Sequence, residues 1–164
     1  MLRHPATGRA HFDPTGVYRY SLERLWEKSG QRLAIVMLNP SQADQHRNDP
    51  TLRRCVGLSQ NWGFTQLEVV NLFAYRTPHP CQLKQAQDPI GGENDRWLLT
   101  AAERADQILL AWGNAGGWLD RDHAVLALLK AYRSKFCCLG QNRTGSPRHP
   151  LYVPRDSCPT DWLS

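Results

Sequence analysis

Four short apolar runs constrain this chain more than any other feature: RLAIVMLN (32–39), LEVVNLFA (67–74), QILLAWG (107–113) and SKFCCLG (134–140). The segment LAIVML is apolar at every position, as a strand covered on both faces must be. Between the runs the apolar residues change to helical spacing. Asp49-Pro50 reads as an N-cap and first helical residue. Leu52, Cys55, Val56 and Ser59 follow at i, i+3, i+4 and i+7, and Gly63 marks the stop. A second helix begins near Glu93, with Leu98, Ala101, Ala102 and Ala105 on one face. A third follows Gly116-Gly117 and carries Leu119, Val125, Leu126, Leu129 and Tyr132. TPHPCQLKQAQDPIGG between the second strand and the Glu93 helix reads as loop. Alternating strands and helices predict an α/β fold: a three-layer α/β/α sandwich on a mainly parallel sheet with right-handed crossovers. VYRYSLERLW (17–26) and RLAIVMLN read as a hairpin across a Lys-Ser-Gly turn, with the N-terminal strand antiparallel at an edge.

The 164 residues suit one domain, 1–164, with one hydrophobic core. There is no internal repeat and no low-complexity segment. Six tryptophans and 41% apolar residues mark a globular chain. No apolar run reaches the ~18 residues that a membrane helix needs. MLRHPATGRA lacks the apolar core of a secretory signal, so the expected location is the cytoplasm. Cys55, Cys81, Cys137, Cys138 and Cys158 form neither a zinc spacing nor a disulfide framework and read as small hydrophobes or bystanders. The net charge of +5 leans toward an anionic partner. No long Lys/Arg run exists, so any basic surface must be assembled by folding.

Ligands of open parallel sheets bind beyond the carboxyl ends of the strands. Those ends read Asn39-Pro40-Ser41, Asn71-Leu72-Phe73-Ala74-Tyr75-Arg76, Trp112-Gly113-Asn114 and Gly140-Gln141-Asn142-Arg143, with Arg148-His149 in the loop after the last. Amides suit a base edge because Asn donates and accepts at once. Phe73 and Tyr75 suit a base face. Arg76, Arg143 and Arg148 suit phosphate. The set fits a nucleobase or nucleotide better than a metal, and no metal or cofactor is expected, although Asp44, His46 and Asp49 are oxygen and nitrogen ligands close in sequence. Each residue also has a plainer reading. Asn39 and Asn71 suit Asx-turns, Asp49 a helix cap, Trp112 the core, and His149 an idle surface position. Phosphate-loop, dinucleotide, zinc-deaminase and nucleophile-elbow motifs are absent, which excludes those routes.

RYSLERLW, MLNPSQAD, NDPTLRRC, VVNLFAYR, DPIGGEND, AWGNAG and GSPRHPLYVP, in this order, closely resemble a bacterial and phage family of unknown function, DUF1643, from about Tyr18 to Pro154. The order of motifs also resembles, more distantly, the uracil-DNA glycosylase superfamily. That resemblance implies a glycosylase-like fold. It implies that Asn39 of MLNPS positions the attacking water, that Asn71 of VVNLFAYR reads the base edge, and that His149 stabilises charge developing on the base. The closing loop departs from the superfamily's His-Pro-Ser-Pro: Leu151-Tyr152 follow His149-Pro150, and Ser146-Pro147 precede them.

Three functions follow as expectations. The first is an N-glycosylase-like hydrolase acting on DNA or a nucleoside. Asn39, with Asp44 or Asp49 as base and His149, would form its catalytic group. Asn71, Phe73, Tyr75, Arg76, Arg143 and Arg148, with the Pro40, Ser41 and Asn114 loops, would bind its substrate. The second is a non-catalytic module for a nucleotide or nucleic acid at the same place. The third is a nucleotide hydrolase that uses Asp44 and Asp49 with a divalent ion.

Overall fold

The structure, a computed structural model, describes residues 6–163; residues 1–5, within the stretch read for a secretory signal, lie outside them. Seven strands form one sheet: β1 (Thr7–Phe12), β2 (Arg19–Leu25), β3 (Arg32–Met37), β4 (Gln66–Asn71), β5 (Gln107–Leu110), β6 (Phe136–Cys138) and β7 (Thr160–Asp161). Their order is β1-β2-β4-β3-β5-β6-β7. The β4–β3, β3–β5 and β5–β6 pairs are parallel, whereas β1–β2, β2–β4 and β6–β7 are antiparallel. The sheet is therefore mixed, parallel at its centre and antiparallel at both sides, not mainly parallel.

Strand parity sorts the apolar residues into two cores. Leu33, Ile35 and Met37 of β3 and Leu67 and Val69 of β4 pack with Leu52, Cys55 and Leu58 of helix α1 (Pro50–Asn61). Ala34, Val36 and Val70 point the other way, to Leu98, Ala101 and Ala102 of α3 (Asn94–Arg104) and Val125 of α4 (Arg121–Leu128). Helices therefore cover both faces, which explains why β3 carries no polar residue after Arg32. The Asp49 carboxylate caps α1 by accepting from the Leu52 N–H at 2.8 Å, and Pro50 fills the first helical position, as the sequence predicts. The stretch expected to be loop contains a short helix, α2 (Pro80–Gln85). No helix among the described residues is long and apolar enough to cross a membrane.

The expected β2–β3 hairpin does not form, because β4 lies between these strands. Thr65, just before β4, is held on both sides. Its carbonyl accepts from the Trp26 N–H at 3.1 Å, and its own N–H donates to the Gln31 carbonyl at 3.0 Å. Its hydroxyl donates to the Ser29 carbonyl at 2.9 Å. The turn between β2 and β3 thus straddles the start of β4. Gly30 permits this with φ of +116°, pressed against the Thr65 side chain where a Cβ would collide.

A buried ionic layer stabilises β2 and β4 on the α3 face. Glu68 is fully buried and faces Glu23 across the strand pair. Its carboxylate accepts from Ser21 at 2.7 Å, from Arg32 at 2.8 Å and from Arg104 of α3 at 2.5 and 2.8 Å.

Candidate functional site

The carboxyl ends of β3, β4 and β5 open on the α1 face into a cavity of about 340 Å³. Its walls include Asn39, Ser41, Asp49, Asn71 and His149, so five of the residues expected at the site share one cavity.

Asn71 ends β4 with the parity of Leu67 and Val69, which turns it to the α1 side. It is 1% exposed, yet among the described residues neither its amide oxygen nor its amide nitrogen has a hydrogen-bond partner. Buried amides are nearly always satisfied, and leaving one unpaired is costly. An unfilled donor and acceptor side by side in a cavity wall match a ligand edge that offers the same pair reversed.

Asn39 is oriented by the loops around it. Its Nδ2 donates to the carbonyls of Thr77 at 2.9 Å and Pro40 at 3.0 Å, with a longer approach to Tyr75. The amide nitrogen is thus committed, and Oδ1 is the free atom.

His149 begins the 3₁₀ turn Pro150–Tyr152, and its Nδ1 accepts from the Leu151 N–H at 3.2 Å. That bond assigns the ring proton to Nε2, a donor. Burial pushes the His149 pKa down, against the attraction of Asp49, so the ring is neutral near physiological pH.

Asp49 lines the cavity while its Oδ1 and Oδ2 accept from the N–H groups of Leu52 and Ala43. Cys55, also in the wall, is no nucleophile, because burial pushes its thiol up to about 12.

The other expected residues lie outside the wall. Asp44 forms an Asx-turn, in which the His46 and Arg47 N–H groups hold its carboxyl below the usual carboxylate value. Phe73 is fully buried in the opposite core against Trp118, so it has no face to offer a base. Tyr75 packs against that same core. Pro40 is buried, and its carbonyl serves Asn39 and Thr77. Asn114 joins the loops after β5 and β6, accepting from Asn142 and Thr144. Arg143 and Arg148 are exposed on the closing loop.

Arg76 is held on backbone carbonyls. Its Nε donates to the Ser41 carbonyl at 2.8 Å and its Nη2 to Gln42 at 3.2 Å. Arg19 Nη1 donates to the Ala43 carbonyl at 2.9 Å. Arg24 Nη2 donates to the carbonyls of Asp44 and Arg47 and, with Nε, to Asn48 Oδ1. Three guanidinium groups therefore clamp the loop between β3 and α1.

Sequence reasoning missed Arg19, Thr77, Leu151 and Tyr152, which also line the cavity. Leu151 and Tyr152 directly follow His149-Pro150, so proximity was a usable signal. They are exposed at the mouth, Tyr152 by 82%. Arg19 gave no such signal, because strand alternation assigns it to the other face. Trp112 is buried, as the plainer reading has it, with its ring against Gly116 and one edge in the cavity wall.

The family model described as "Protein of unknown function (DUF1643)" matches residues 19–151. The chain belongs to the DUF1643 family. No curated protein and no solved structure matches it. The DUF1643 match begins at Arg19 and ends at Leu151, so it takes in Asn39, Asp49, Asn71 and His149.

Proposed function

We propose that the cavity binds a nucleobase with its sugar and that the protein is an N-glycosylase-like hydrolase. The observation that carries this reading is the buried, wholly unpartnered amide of Asn71 in the same wall as Asn39 and His149. Asn71 pairs with the base edge. Asn39 Oδ1 accepts from the attacking water and holds it. Water oxygen bonds to the sugar carbon as the carbon–nitrogen bond breaks, and the base leaves with the bonding pair. His149 Nε2–H donates to the base as negative charge develops there. Asp49 keeps a lone pair on each oxygen and takes the proton that the water loses. The distant resemblance to uracil-DNA glycosylases assigns the same parts to Asn39, Asn71 and His149. The two helical covers on a partly parallel sheet support a glycosylase-like three-layer fold.

A non-catalytic nucleotide or nucleic-acid module is the second reading. It is favoured by the backbone N–H groups that already occupy both oxygens of Asp49. The divalent-ion hydrolase loses support, since Asp44 is outside the wall that contains Asp49.

The test is base release. Wild type and Asn39→Ala are incubated with pooled nucleosides, nucleotides and uracil-containing oligonucleotides, and free base is read by mass spectrometry. Release by wild type alone supports the hydrolase. Binding without release supports the module.

A further inference from the structure

We infer that the occupant of this cavity carries a compact oxyanion that docks on Arg19, and that it is a free nucleoside monophosphate rather than a base swung out of a strand. The inference rests on the nucleobase reading above and names its substrate class.

The placement of Arg19 is built by an irregularity in the sheet. Along β1 and β2 the pairing runs His11 with Ser21, then Phe12 with Arg19, so Tyr20 is an extra residue. Such bulges re-aim side chains. Ser21 and Glu23 belong to the ionic layer on the α3 face, and Leu22 to the α1 face. Regular alternation would send Arg19 to the α3 face with Ser21. Instead Tyr20 stacks on Trp97 of α3, and Arg19 joins Leu22 in the cavity wall.

What arrives there is a buried cation that feels the attraction of Asp49 in the same wall but touches no carboxylate. Arg19 is 3% exposed. Its Nη1 is used by the Ala43 carbonyl, but Nε has no partner among the described residues. No carboxylate among the described residues comes within ion-pair distance of it. Burial lowers its pKa to about 10, so it remains charged at neutral pH. A buried guanidinium with no carboxylate in contact and an unfilled Nε is costly to keep, and a ligand oxyanion completes it.

Size and connectivity choose the ligand. A cavity of about 340 Å³ falls within the range of small-molecule sites and exceeds what a base alone would fill. In a strand, each phosphate is a diester that must lead to a sugar on either side. A guanidinium this deeply buried is reached more readily by a terminal phosphate than by one flanked by two sugars.

The test titrates the full chain with nucleosides, their 5′-monophosphates and short single-stranded oligonucleotides, each with the four common bases and uracil. It uses wild type, Arg19→Lys and Arg19→Met, with folding checked by thermal unfolding. The expected result is at least a tenfold preference for one monophosphate over its nucleoside in wild type. That preference shrinks in Arg19→Lys and vanishes in Arg19→Met. If Arg19→Met does not fold, inorganic phosphate is titrated against the bound monophosphate in wild type, and competition is expected. Absence of competition overturns the inference. Equal binding of nucleoside and monophosphate overturns the oxyanion site and leaves the base pocket standing. Tighter binding of oligonucleotides overturns the free nucleotide and again leaves the base pocket. Binding of none of these overturns both.

Discussion

The side-chain nitrogen of Asn39 donates to the carbonyl oxygen of Thr77 at 2.9 Å, across the gap between the loops that follow β3 and β4. Because a second carbonyl, that of Pro40, faces the same nitrogen, the amide has one allowed orientation. Asn39→Asp sets a carboxylate oxygen against both carbonyls. It should cost about 1–3 kcal/mol in urea unfolding at neutral pH. The new carboxyl has a raised pKa in the folded state, so the loss should be relieved in acid as it protonates. Asn39→Ala should show no such recovery.

Asn71 is expected to trade stability for binding. Its amide is buried and satisfied by nothing among the described residues. Asn71→Leu removes that penalty and should leave the unfolding free energy unchanged or raise it by about 1 kcal/mol, while nucleotide binding disappears. Loss of stability comparable to that of a core truncation would mean that the amide is satisfied in the free protein.

The ionic layer around Glu68 should dominate the acid limb of stability. Burial alone would raise the pKa of Glu68, but hydrogen bonds from Arg104, Arg32 and Ser21 outweigh it and lower the value. A depressed carboxyl stabilises the fold above its unfolded pKa, about 4.3, and the contribution is lost as pH falls through the folded value. Glu68→Gln should flatten that part of a urea-midpoint series. Glu68→Ala should cost about 1–3 kcal/mol at neutral pH, because Arg32 and Arg104 lose their closest acceptor and are left with Glu23 as their carboxylate.

His149 should set the acid limb of activity. With its pKa below the ordinary value, the neutral ring that donates through Nε2 persists into mild acid. Base release should therefore fall only below about pH 6.5, and His149→Gln, which keeps a donor, should remove that inflection. An inflection above the ordinary histidine value would show that the charged ring is the working form.

Much of this could be seen in the residues. LAIVML declares β3 because both faces are apolar, Leu67, Val69 and Val70 declare β4, and Asp49-Pro50 declares the start of α1. β1 and β7 were invisible for physical reasons. TGRAHF alternates polar residues with Gly8, Ala10 and Phe12, too small an apolar face to stand out, and TD is two residues long, so pairing with a neighbour defines them. The place of β4 between β2 and β3 depends on the hold on Thr65, a contact between distant segments. The polar strand ends pointed to the carboxyl edge of the sheet, and Asn39, Asn71 and His149 line one cavity there. Phe73 and Arg76 misled because aromatic and cationic character says nothing about direction. One lies in the core and the other spends its donors on carbonyls. Arg19 stayed hidden because one extra residue in a strand reverses which way its neighbour faces.

The three-guanidinium clamp on the loop after β3 has a consequence for how this rim can change. Arg19, Arg24 and Arg76 grip carbonyl oxygens and the Asn48 amide, so most of the loop's own side chains play no part in its path. Gln42, Gln45 and His46 are exposed on that path. They are interchangeable letters on a fixed frame. Selection, or a designer, can rewrite the outer surface of that loop without redrawing the cavity it borders.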